Sequence, residues 1–63
     1  MPKEREVRYV LKRLAKEGWV EARVRGSHHL LCKDGKTIPV PTSRRELPIG
    51  TYRSIAKNAG WLL

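Results

Sequence analysis

Acidic residues are scarce in this chain: six Asp and Glu stand against fourteen Lys and Arg, giving a formal net charge of +8 and a sequence pI of about 10.4. That imbalance points to a polyanionic partner such as nucleic acid. Cysteine is nearly missing. The single Cys32 cannot close an internal disulfide, which agrees with a reducing compartment. Long apolar runs are missing too, so no stretch can span a bilayer and no membrane partner is expected. The start, MPKEREVRYV, has no apolar signal-peptide core, and the expected address is cytoplasmic. Length is the last shortage. A chain of 63 residues makes one small domain, expected over 1–63, and a domain of about this size buries only ~60% of its unfolded surface. There is no linker, repeat or low-complexity segment, and no room for a separate substrate domain.

What is present begins with a helical pattern. Val7, Val10, Leu11, Leu14 and Ala15 recur as one apolar stripe, while Arg5, Arg8, Lys12, Arg13 and Lys16 fill the remaining positions. Pro2 suits the first turn, Glu4 and Glu6 complement its positive end, and Gly18 is placed to stop it. Three strand-like runs follow: Trp19 to Arg25, His28 to Lys33 and Lys36 to Val40. Asp34-Gly35 is a type I′ hairpin signal, and Gly26-Ser27, glycine first, suits type II′. Beyond a polar loop, Ile49, Tyr52, Ile55, Ala56 and Ala59 predict a second amphipathic helix ended by Gly60, with either Pro48 in its first turn or Thr51 as N-cap. The order is α-β-β-β-α.

Each turn fixes a strand register independently. A two-residue loop at Asp34-Gly35 sets Leu31 opposite Ile38, His29 opposite Val40 and His28 opposite Pro41; one at Gly26-Ser27 sets Arg25 opposite His28, Val24 opposite His29 and Ala22 opposite Leu31. Alternation then sends Val20, Ala22, Val24, His29, Leu31, Ile38 and Val40 to one face. The other face receives Glu21, Arg23, Arg25, His28, Leu30, Cys32, Thr37 and Pro39. Pro39 and Pro41 fall where a missing N–H points away from the middle strand, so the third strand is predicted to be an edge. The expectation is an α+β fold: a three-stranded antiparallel meander in order 1-2-3 with two helices on the face carrying Val24 and Leu31.

That register bears on the segment RVRGSHHLLCKDGKTIPVP, which contains both histidines and the cysteine. His28 and His29 are neighbours on a strand and point to opposite faces, so they cannot ligate one ion. His28 and Cys32 share a face but stand ~13 Å apart at about 3.3 Å per residue, too far for ligands at roughly 2.0–2.3 Å from one zinc. The same gap separates a nucleophile from its base. No metal or cofactor is expected. Cys32 reads as an apolar filler, and His29, opposite Val40, as a packed, hydrogen-bonded structural histidine. A lone histidine in a basic domain is ordinarily a surface side chain without a task. His28 differs in following Gly26, which leaves room for another backbone to approach, and in pairing an imidazole, which changes charge between pH 5 and 8, with the fixed charges of Arg25 and Arg23.

The stretches EGWVEARVRGSHHLL, TIPVP and RRELPIGTYRSIAKNAG resemble the HicA-type mRNA interferase toxins, whose pattern runs G-W, R-x-x-G-S-H-H, V-x-V-P, K-x-E-L-P-I-G-T and S-I-x-K-x-A-G. The motifs occur in the family's order and cover nearly the whole chain. The resemblance implies a fold similar to double-stranded-RNA-binding domains, an activity as a metal-independent endoribonuclease on single-stranded mRNA, and a HicB-like acidic antitoxin that blocks the active face. It carries the catalytic role to His28, the first histidine after the Gly26-Ser27 turn that supports it. Arg23 and Arg25 would hold the phosphate; Arg44 and Arg45, with Arg53 and Lys57, would add salt-sensitive, sequence-poor RNA affinity. The chain departs from the pattern at Leu31, where an aromatic is common, and after Val40, where Pro41-Thr42-Ser43 replaces a His-Pro pair. The apolar tail Trp61-Leu62-Leu63 either packs on the helices or contributes to self-association or to the antitoxin interface.

The rival reading is a non-catalytic RNA-binding module of the same fold. Binders of duplex RNA in this fold carry lysines at the start of the last helix to grip phosphates. Here that helix begins Pro48-Ile49-Gly50-Thr51, without one. A protein-interaction domain for an acidic partner alone is the third class.

Overall fold

The computed structural model describes residues 4–62. Its elements are α1 (Val7–Lys16), β1 (Val20–Arg25), β2 (His28–Lys33), β3 (Lys36–Pro41) and α2 (Ile49–Ala59). The strands form one antiparallel sheet in the order β1-β2-β3, as the hairpin signals predict. Asp34 and Gly35 both have positive φ, 50° and 79°, which is the type I′ turn; at the other turn only Gly26 does, at 58°, which is type II′.

Both helices end alike. Gly18 and Gly60 are left-handed, and each is followed by a tryptophan whose amide reaches back to the carbonyl five residues earlier: Trp19 N to Leu14 O at 3.0 Å and Trp61 N to Ala56 O at 2.8 Å. This is the Schellman closure, and it turns the residue after the glycine inward. Trp19 therefore leaves the strand in which the pattern had placed it and enters the core, 5% exposed. The start of α1 differs from expectation as well. The helix begins at Val7, so Glu4 and Glu6 precede it, and Pro2 lies outside the described residues. Its first amide is taken by the loop carbonyl of Arg45 (Val7 N to Arg45 O, 2.9 Å), beside a short bridge between Glu6 and Glu46.

The core unites Val7, Val10 and Leu14 of α1 with Trp19, Leu31, Ile38, Val40, Leu47 and Ile55. Both helices thus cover one side of the sheet. Three details depart from the pattern. Ile49 is exposed, and α2 starts at that residue with Pro48 before it, so Thr51 lies inside the helix. Leu47, in the polar loop, is buried. The largest departure is β1, which is exposed throughout. A register shift at Ala22 pairs Arg23 with Leu30 but Glu21 with Leu31 and Val20 with Cys32. Such a bulge reverses the facing of every residue on its far side. Glu21 moves to the helix side and Val20 to the open side, the opposite of the simple alternation, and Ala22 loses its place opposite Leu31. Val24 keeps its expected partner, His29, but is 50% exposed and outside the core.

Candidate functional site

The open side of the sheet owes its character to two local events. The type II′ turn needs a positive φ at its first residue, which glycine adopts freely. It places Arg25 directly across from His28. Space is not the reason for Gly26, because a Cβ built there meets nothing within 4 Å. The surroundings of the turn are open with or without a Cβ, so the room expected of the glycine does not depend on it. The bulge at Ala22 is the second event. It carries the Glu21 carboxylate off this side and onto the other, where it accepts a hydrogen bond from His29 Nδ1. His29 is half-buried there, with Val40 beside it on β3, in agreement with its expected structural role. The strands' one carboxylate is thereby withdrawn from the side that presents His28, Arg25 and Arg23.

His28 is exposed, flanked by Arg25 on β1 and by Pro41 on β3. Pro41 is followed by Thr42, whose amide and hydroxyl both donate to Ser27 O, at 2.6 and 2.8 Å. Further along the same side, Cys32 Sγ lies 3.4 Å from Thr37 Oγ1, a strand's length from His28. Among the described residues no three His, Cys, Asp or Glu side chains gather where one ion could be held.

Four of the arginines assigned to RNA, Arg23, Arg25, Arg44 and Arg45, divide. Arg23 and Arg25 share the side of His28. Arg44 borders a groove of about 230 Å³ that starts at Pro41 and runs past Leu47 to Thr51. Arg45 has its guanidinium 3.9 Å from Glu6 and its carbonyl holding the start of α1. Arg23, Arg25 and Arg44 make no ion pair with any described residue. The tail is largely accounted for internally. Trp61 Nε1 donates to Glu17 Oε1 at 2.6 Å, the Arg13 guanidinium stacks 4.0 Å from the Trp61 ring centroid, and Tyr52 lies alongside. Leu62 is exposed, and Leu63 lies outside the described residues.

Thr42 and the Glu21–His29 pair escaped the sequence pattern. The first is a contact between segments far apart in the chain. The second depends on a bulge at an alanine that no turn residue marks. No helix among the described residues is long and apolar enough to cross a membrane. No curated protein matches the chain. The family model described as the HicA toxin of bacterial toxin–antitoxin systems matches residues 7–61. With that match over most of its length, and with the helix, meander and helix set out above, the chain belongs to the HicA toxin family.

Proposed function

We propose that this chain is the toxin of a toxin–antitoxin pair and acts in the cytoplasm as an endoribonuclease on mRNA, with His28 as its proton-transfer group. The observation that carries the reading is the placement of an exposed imidazole between Arg25 and Pro41, with Arg23 farther along β1 and neither arginine in an ion pair with a described residue, on a sheet side from which the neighbouring carboxylate has been withdrawn. The chemistry such a side can perform is transesterification. The ribose 2′-oxygen attacks its adjacent phosphorus, the bond from phosphorus to the 5′-oxygen breaks, and a 2′,3′-cyclic phosphate and a 5′-hydroxyl result.

The nucleophile is already held beside its target in the substrate, so the protein needs only to orient, move protons and stabilise charge. His28 takes the 2′ proton or delivers one to the 5′-oxygen, a contribution of about 10²- to 10⁴-fold. Arg25, directly across the hairpin, and Arg23, farther along β1, hold the phosphoryl oxygens as negative charge builds. Guanidinium groups suit this because their donors match two oxygens at once. Arg44, on the groove beyond Pro41, extends the basic track for flanking phosphates; Arg45, turned toward Glu6, adds less. A HicB-like acidic partner fits the same uncovered basic side and would block it.

The test uses three arms. Purified protein is incubated with RNA, with the same oligonucleotide carrying 2′-deoxyribose, and with RNA after His28→Ala. The expected result is cutting of RNA alone, unaffected by EDTA and lost in the variant while RNA binding persists. Binding without cutting by the unaltered protein would favour the non-catalytic RNA-binding module.

A further inference from the structure

The catalytic reading leaves unexplained how a side chain at the end of an exposed hairpin is held still. On the β1 side, His28 is fixed by its pairing with Arg25. On the β3 side its partner is Pro41, at a position where the ladder makes no bond between the two strands. The bond to β3 falls to the next residue. Thr42 N lies 2.6 Å and Thr42 Oγ1 2.8 Å from Ser27 O. That carbonyl belongs to the peptide unit that carries the His28 nitrogen, so two donors from one residue fix the orientation of the plane from which His28 departs. Thr42 is half-buried, and Ser27 is exposed; the turn has no packing to hold it, which makes these bonds its tie to β3.

We propose that Thr42 is a positioning residue for His28, acting through the Ser27 carbonyl to hold the imidazole between Arg25 and Pro41. The proposal rests on the catalytic reading above and adds a residue to it. Thr42 touches no reacting atom. It acts on kcat because a misplacement of about 1 Å can cost roughly 10²-fold in rate. RNA affinity, set by the arginines of β1, to which Thr42 makes no hydrogen bond, is left alone.

A graded series tests this. Thr42→Ser keeps both donors, Thr42→Val keeps the amide alone, and Thr42→Pro keeps neither. The expected order of kcat is Thr ≈ Ser > Val > Pro, with Val about tenfold down and Pro lower still, and with KM within about twofold throughout. Amide exchange at His28, measured on the free protein, should accelerate in the same order. Exchange does not depend on RNA, so it separates the two ideas. Cleavage that survives His28→Ala would overturn the catalytic reading, and with it the proposed effect on kcat, even where exchange follows the series. Unchanged exchange in the Val and Pro variants would overturn the clamp. Faster exchange with unchanged kcat would show that the clamp positions nothing the reaction needs, and would also end the proposal.

Discussion

At Gly26 the geometry separates two reasons for a glycine. The φ of 58° disfavours any side chain, yet the space around a Cβ there is empty. Substitution should therefore cost backbone energy and nothing else. Gly26→Ala is expected to lower stability by about 1–2 kcal/mol, the penalty of a left-handed residue with a Cβ. Gly26→Asn should cost less, because asparagine tolerates this region. Urea midpoints of the two variants decide the matter; equal losses would mean that contacts, rather than φ, fix the turn. His28 and its arginine partner were legible from the sequence because the turn chemistry is local and two residues long. Thr42 was not. The register that sets His28 opposite Pro41 also brings Thr42 beside Ser27, but the third strand was expected to stop at Val40, and the residues after it read only as a polar loop. Glu21 was misplaced for a related reason: in VEARVR each alternate register presents plausible residues to either side. An exposed strand carries no core that would penalise the wrong one.

The helices end on a repeated device, a left-handed glycine followed by a tryptophan, and the second copy shows what the tail is for. Trp61 is held by its backbone bond to Ala56, by Glu17 at its indole nitrogen and by Arg13 over its ring, and Glu17 also takes Arg13 Nε at 3.2 Å. One side chain thus ties the end of α2 to the last turn of α1. Trp61→Ala should cost about 2 kcal/mol, roughly half the loss for a fully buried aromatic, because the ring is only partly covered. Trp61→Phe keeps the stacked ring and loses the donor, for about 1 kcal/mol. In a domain of this size each kcal/mol moves the melting midpoint by about 4–8 °C, so thermal unfolding resolves the two. If Trp61→Ala melts with the unaltered protein, the tail is not part of the fold's support. Element order, strand pairing and both helix ends were readable from periodicity and glycine placement. The burial of Leu47 and Trp19 was not, since each enters the core from an irregular segment where periodicity says nothing.

On the scale of the whole molecule, the positive charge is spread over more than one side. Arg23 and Arg25 lie on the open side of the sheet, whereas Lys12 and Lys16 lie on the outer surface of α1, around a hollow shared with Tyr9. The least extent of the protein is 19 Å, while the screening length at physiological salt is about 8 Å. Charges on the helix side are therefore largely screened from a strand bound beside His28. For single strands, the slope of log K against log salt is about −0.7 for each phosphate neutralised. In a His28→Ala background, which keeps the RNA intact, Arg25→Ala and Arg23→Ala should each make that slope shallower by about 0.7. Lys12→Ala and Lys16→Ala should leave it nearly unchanged. Binding of a short single-stranded oligonucleotide, measured across a series of salt concentrations, reads all four. A loss of slope in the lysine variants equal to that in the arginine variants would place the strand on α1, and the imidazole could not then reach its phosphate.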